Sequence, residues 1–425
     1  MARAPKSAYS WKFKSRFRRH AFGWRSRPAI DRIHEAIAEI KAVARTDRQL
    51  AAEGAVVFLE RVSPALEHVD SSSGAIGNAV NGAIRDLVTI LADAPAERPT
   101  REQWLDRLWA AHEADQIPYI ETLVDYWGEL CGSKELASEW ADRLVGVTRM
   151  ALSPDPKMRG YFHGTSACFS ALFRAERYGE IIDMLRTETF WHYTQWAVKA
   201  HAARGEKAEA IRYAESCRGR STPDGSVDRA CEEILLSSGL AHEAYERYGR
   251  GANRRGTYVA TFRAIVKKYP DKQPSKILAD LAADTPGEEG KWFAAAKDAR
   301  LYDFALALAR RSPCDPRTLA RAARDFALRQ PAFAVEAGVL SLHWIVEGHG
   351  YEVTGHEVLD VFSHTMRAAE TNGTSEKTRD RIVELAGHDA PDGVVRRILA
   401  RELDLQVRTN HPPTADGRRP EWETR

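Results

Sequence analysis

From about Tyr178 onward one short phrase keeps returning. A helix ends in Gly or a polar residue, and about four residues later a second helix opens with an Ala-rich seam. It reads RYGEII at 177–182, GEKAEAI at 205–211 and GLAHEAY at 239–245, then more loosely PSKILADL at 274–281, LYDFALAL at 301–308 and QPAFAVEA at 330–337. With Ile182, Ala210, Ala244, Leu278, Ala305 and Ala334 as equivalent points, the steps are 28, 34, 34, 27 and 29 residues. One helix pair cannot bury its own apolar face, so recurrence at this period predicts stacking. The expected fold is all-α: a right-handed α-solenoid of antiparallel helix pairs.

Composition enters where it excludes alternatives. A hydrophobic share of 44% and a charged share of 29% are globular values. No apolar run approaches the roughly 18 residues that a membrane span requires. Cys131, Cys168, Cys217, Cys231 and Cys314 are scattered without a CxxC pair, which reads as small core residues in a reducing compartment, hence a cytoplasmic protein.

Charge is lopsided. Residues 1–27 hold nine of the 62 basic residues and none of the 60 acidic ones, so in the remainder 53 cations face 60 anions. This segment lacks the continuous apolar stretch of a secretory signal. In WKFKSRFRR at 11–19, an extended chain puts Trp11, Phe13 and Phe17 on one face, with Lys12, Lys14, Arg16 and Arg18 on the other and Arg19 at the end. Cations beside stacking rings suit phosphate contact and base stacking, and they also suit an anionic membrane surface. Alternatively, the rings pack onto the first helical layer and the cations stay solvated.

The expected organisation is a basic aromatic arm at 1–27, a less regular helical layer at 28–155, regular repeats at 156–350, capping helices at 351–404 and a disordered tail at 405–425. Pro28 opens a helix to about Arg45, carrying Ile30, Ile33, Ile37 and Ile40. A second helix runs from about Asp47 to Leu66, interrupted by Pro64, and Thr100 with Gln103 predicts a capping box before Trp104. SSSG at 71–74 reads as a serine cap.

WAVKAHAARGEKAEAIRYAESC at 196–217 resembles a tetratricopeptide-like repeat, with Trp196, Ala200, Gly205, Ala210, Ile211, Tyr213 and Ala214 at pattern positions. The strings GYFHGTSACFSALFRAERY, CEEILLSSGLAHEAYERYG and STPDGSVDRA look like a family of uncharacterised bacterial helical proteins. The first resemblance implies helix pairs with a concave binding surface. The second brings no assigned activity.

Chemistry-bearing patterns are sparse. His356, Asp360 and His364 share a helical face, with His343, Glu347 and His349 upstream, but no HExxH occurs and no metal is expected. Arg107/His112 and Arg186/His192 have the spacing used by nuclease-type HEPN domains, but Leu and Thr follow the two Args where those domains usually place a residue such as Asn. GEEGK at 287–291 lacks P-loop spacing, and GxSxG and GxGxxG are absent, so neither a cofactor nor a catalytic set is expected. FWHYTQW at 190–196 reads mostly as core, with Tyr193 or Trp196 as possible partner anchors.

The leading expectation is therefore a non-catalytic scaffold that holds a protein or peptide on the concave surface. Its groove residues would be Trp196, Lys199, Arg229, Glu233, Tyr258 and Arg263. A nucleic-acid-binding protein or RNA-processing accessory acting through the arm is one alternative, and a membrane-surface adaptor is another. A homodimer that caps the open ends is a further expectation.

Overall fold

Helix starts follow the local chemistry of the chain. In the computed structural model, which describes residues 9–219, 222–390 and 392–403, every regular element is a helix. The expectations for the first eight residues and for the tail from 405 lie outside the described residues. Contacts divide the chain into two units, Met1–Leu240 and Ala241–Arg425.

The first unit opens with a 3₁₀ turn at Lys12–Ser15, followed by α1 (Ser26–Ala44), α2 (Arg48–Leu66), α3 (Ala75–Ala92) and α4 (Arg98–Glu113). A 3₁₀ turn at Glu121–Tyr126 runs into α5 (Trp127–Cys131). Then come α6 (Lys134–Ala151), α7 (Thr165–Arg174), α8 (Tyr178–Met184), α9 (Trp191–Ala203), α10 (Lys207–Ser216) and α11 (Ser226–Leu236). One apolar core runs from Trp11 to Ala200. Ile33, Ile37 and Ile40 of α1 point into it, as their spacing requires.

Several local expectations are corrected. Asp47 caps α2, accepting from the Leu50 amide at 2.9 Å, but Pro64 does not interrupt the helix. Pro64 lies in the final turn, and its own carbonyl accepts from His20 N at 3.0 Å. No capping box forms at Thr100, because Pro99 sits in the first turn and starts α4 from Glu97. Gly74, in the left-handed region at φ 70°, holds the α3 N-cap position in place of a serine. A capping box does form where TGHE stands, between Thr354 and Glu357.

Arg101 is a buried cation with no carboxylate partner among the described residues. Its guanidinium donates to Leu91 O and Ala94 O, each at 2.7 Å, and to Leu130 O at 3.2 Å. It therefore closes the C-terminal ends of α3 and α5, where carbonyls lack helical partners. Gly128 lets α5 press onto α7. A Cβ there would meet Ser170 O at 2.2 Å, and the Gly128 amide donates to Ser170 Oγ at 3.0 Å.

The second unit holds α12 (Ala241–Ala244), which passes through a π turn at Tyr245–Gly249 into α13 (Arg250–Ala252), then α14 (Tyr258–Lys268) and α15 (Pro274–Ala283). A 3₁₀ turn at Glu289–Trp292 leads into α16 (Phe293–Asp298). It continues through α17 (Tyr302–Arg311), α18 (Pro316–Phe326), α19 (Pro331–Val346), α20 (Gly355–Asn372), α21 (Ser375–His388) and α22 (Val394–Leu399). Apolar on nearly all sides, α19 packs against α17, α18, α20, α21 and α22.

All six repeated phrases fall at the start of a helix: α8, α10, α12, α15, α17 and α19. Four of these helices are preceded by the same turn. Glu176, Gly205, Gly239 and Arg300 adopt positive φ two residues before the helix opens. In each case the next amide bonds back five residues: Arg177 to Leu172 O, Glu206 to His201 O, Leu240 to Leu235 O and Leu301 to Ala296 O. That is a Schellman closure of the preceding helix. Cys131, Cys168, Cys231 and Cys314 are buried, and Cys217 is half-buried.

Candidate functional site

On α9, Trp191, Gln195, Val198, Lys199 and Ala202 share one face; on α11, Arg229, Ala230, Glu233 and Ile234 do the same. The opposite faces, with Ala197 and Ala200 of α9 and Val227 and Cys231 of α11, are buried. Between the two faces lies a cleft of about 640 Å³. Alanines at 202, 203 and 230 leave it open, since larger side chains there would fill the space between the helices.

Lys199 stands at the centre. Its ammonium lies 4.3 Å from the centroid of the Trp196 ring, and crowding by protein atoms pulls its pKa below the ordinary lysine range. Asp125, Glu129 and Glu233 oppose that shift. The same crowding pushes the Glu129 carboxyl up, against the pull of Lys199 and Arg174. Asp125 of the 3₁₀ turn and Glu129 of α5 thus place negative charge near Lys199, and Asp125 and Glu121 do so near His192.

His192, one turn before Gln195, has Nε2 2.9 Å from Ser166 Oγ and 3.5 Å from Asp125 Oδ1. Asp125 raises its pKa. Ser166 sits in the first turn of α7, so serine, histidine and aspartate meet in space. Both partners address the same imidazole nitrogen, however, whereas a nucleophilic relay needs the carboxylate on Nδ1. The trio ties the 121–126 turn, α7 and α9 together, and it does not activate Ser166. No local sequence pattern signals this arrangement, because its three members come from elements far apart in the chain.

Of the six groove residues expected from sequence, Lys199, Arg229 and Glu233 line the cleft. Trp196 does not: at 6% exposure it belongs to the core, packed against Phe173 and roofed by Lys199. Tyr258 and Arg263 belong to the second unit and are engaged there. Tyr258 donates to Glu288 at 2.7 Å and meets the Trp292 ring edge-on, while both arms of the Arg263 guanidinium reach Asp298 at 2.8 and 2.9 Å.

The described part of the arm, residues 9–27, is docked, not extended. Trp11, Phe13 and Phe17 are 6%, 3% and 1% exposed, Phe13 and Phe17 lie against Phe58, and the 3₁₀ turn replaces the alternation an extended chain would give. Their rings are therefore closed to base stacking, whereas Lys12, Lys14, Arg16, Arg18 and Arg19 remain exposed. Arg107 is held by Glu53 and Glu60, and His112 is buried beside His163 with its pKa lowered by desolvation. Arg186 pairs with Asp183. In the second unit, His356 Nδ1 lies 3.1 Å from Asp360, and Asp360 and His364 line a cleft of about 230 Å³ with Arg317, Arg321 and Arg324. Among the described residues no group of three or more His, Cys, Asp or Glu side chains is placed to hold a metal ion, and no helix is long and apolar enough to cross a membrane.

Comparison with known proteins gives no match to a family model, a curated protein or a solved structure.

Proposed function

We propose that this chain is a non-catalytic binding scaffold, and that the α9/α11 cleft holds an amphipathic peptide segment of a protein partner. The observation that carries the reading is the cleft itself: an apolar floor of Val198, Ala202, Ala230 and Ile234, bordered by Lys199, Arg229 and Glu233. Such a floor takes alternate apolar side chains, and charges of both signs at the rim fix direction and register. The repeated Schellman closures support reading the helix pairs as a tetratricopeptide-like α-solenoid, an architecture that presents first helices along a preorganised groove.

A phage-displayed peptide library selected on the full chain tests this. Peptides that share a motif, and that lose binding to Ala230→Trp and Lys199→Glu variants of unchanged circular dichroism, would support it. No enrichment, or peptides indifferent to both substitutions, would refute it.

A further inference from the structure

We propose that the docked segment 9–27 is a contact surface for single-stranded nucleic acid, gripped through its phosphates. The segment is fixed. Glu39 accepts from the amides of Lys12 and Phe13 at 2.9 and 3.2 Å, Pro64 O accepts from His20 N at 3.0 Å, and Trp24 O accepts from Asp70 N at 2.8 Å. Trp11, Phe13 and Phe17 face inward, so the cations between them are held outward.

Those cations divide into two sets. Arg16 is paired with Glu35, Arg27 with Asp31 and, at 3.5 Å, Arg19 with Glu67. The side chains of Lys12, Lys14, Arg18 and Arg25 are exposed and have no carboxylate partner among the described residues. Beside Arg25 stands Trp24, 72% exposed, an apolar ring that the fold leaves uncovered. Unpaired cations release counterions when they meet phosphates, and an exposed indole gives one base a stacking face.

The geometry favours nucleic acid over lipid. A membrane-surface segment buries its apolar face at the acyl boundary, but here Trp11, Phe13 and Phe17 spend that face on the protein's own core. What remains is cationic, with Trp24 and, at 44% exposure, Tyr9 as its uncovered rings, which fits a phosphate chain.

The test is fluorescence anisotropy of a labelled 20-nucleotide oligo(dT) with the full chain, across a salt series. Single strands lose affinity with a log–log slope of about −0.7 per phosphate contact, so replacing Lys14, Arg18 and Arg25 together by Ala should flatten the slope by about 2. Trp24→Ala should weaken binding about tenfold with the slope unchanged. The charge-preserving Lys14→Arg/Arg18→Lys/Arg25→Lys variant should restore the slope, and Ala230→Trp in the α9/α11 cleft should leave it untouched, which separates this surface from the peptide site. Absence of binding by the unmodified chain would overturn the proposal. So would an unchanged slope in the triple-Ala variant, tighter binding to duplex than to single strand, or binding to phosphatidylserine vesicles without binding to the oligonucleotide.

Discussion

Gly54 lies in the middle of α2, where its φ is helical and any residue could stand. It is required by a neighbour. A Cβ built on Gly54 would lie 2.2 Å from Trp11 Cζ2, 2.4 Å from Cη2 and 2.7 Å from Cε2, so Gly54→Ala must displace the indole. A buried Trp covers roughly 150–250 Å², worth ~4–6 kcal/mol at about 25 cal/mol per Å². Against this, Ala favours a helix interior over Gly by about 1 kcal/mol. The expected net loss is therefore about 3–5 kcal/mol, with the arm undocked. Urea unfolding and tryptic cleavage at Lys14, Arg16 and Arg18 read the two effects. The sign of the effect is the sharper test. In a Trp11→Ala background the clash is gone, and Gly54→Ala should stabilise by about 1 kcal/mol through propensity alone. If Gly54→Ala has the same effect with and without Trp11, the packing argument is refuted.

Arg101→Met should destabilise by about 3 kcal/mol in urea unfolding, because three buried carbonyls lose a charged donor, and Arg101→Lys should recover little without the forked geometry. Gly338→Ala sets a Cβ 1.9 Å from Thr365 Oγ1 and should cost about 2 kcal/mol, relieved by Thr365→Ala in the same chain; a thermal melt of the pair of variants checks it. Arg300→Gly removes a side chain from the left-handed region at φ 61° and should stabilise by about 1 kcal/mol, read from the urea midpoint. Asp125→Asn should lower the His192 pKa in an NMR titration. Because the folded value is raised, the stability it contributes is complete below about pH 6.5 and lost as pH rises through the folded pKa; the variant should flatten that pH dependence.

How much of this was legible beforehand depends on the range of the interaction concerned. Helix content, the spacing of α1, the start of α2 near Asp47 and the six helix starts all arise from residues within a few positions of one another, and they read directly from the chain. The aromatic and basic character of 9–27 was equally plain, yet its disposition was not. Whether Trp11 faces water or core depends on Gly54, 43 residues away, offering no side chain. Trp196 shows the same limit. Its helical position allowed the groove or the interior, and the contacts with Phe173 and Lys199 decide for the interior.

Local pattern thus determined that the chain is helical, where its helices begin, and where its charge is concentrated, because propensity, capping and hydrophobic periodicity act over one or two turns. Tertiary structure alone decided that the arm's rings are core and its cations surface. It also brought Asp125 and Ser166 to His192, and it opened a cleft between α9 and α11 beside the alanines at 202, 203 and 230. The physical reason is that burial belongs to pairs of surfaces, and the second surface of each pair lies far along the chain.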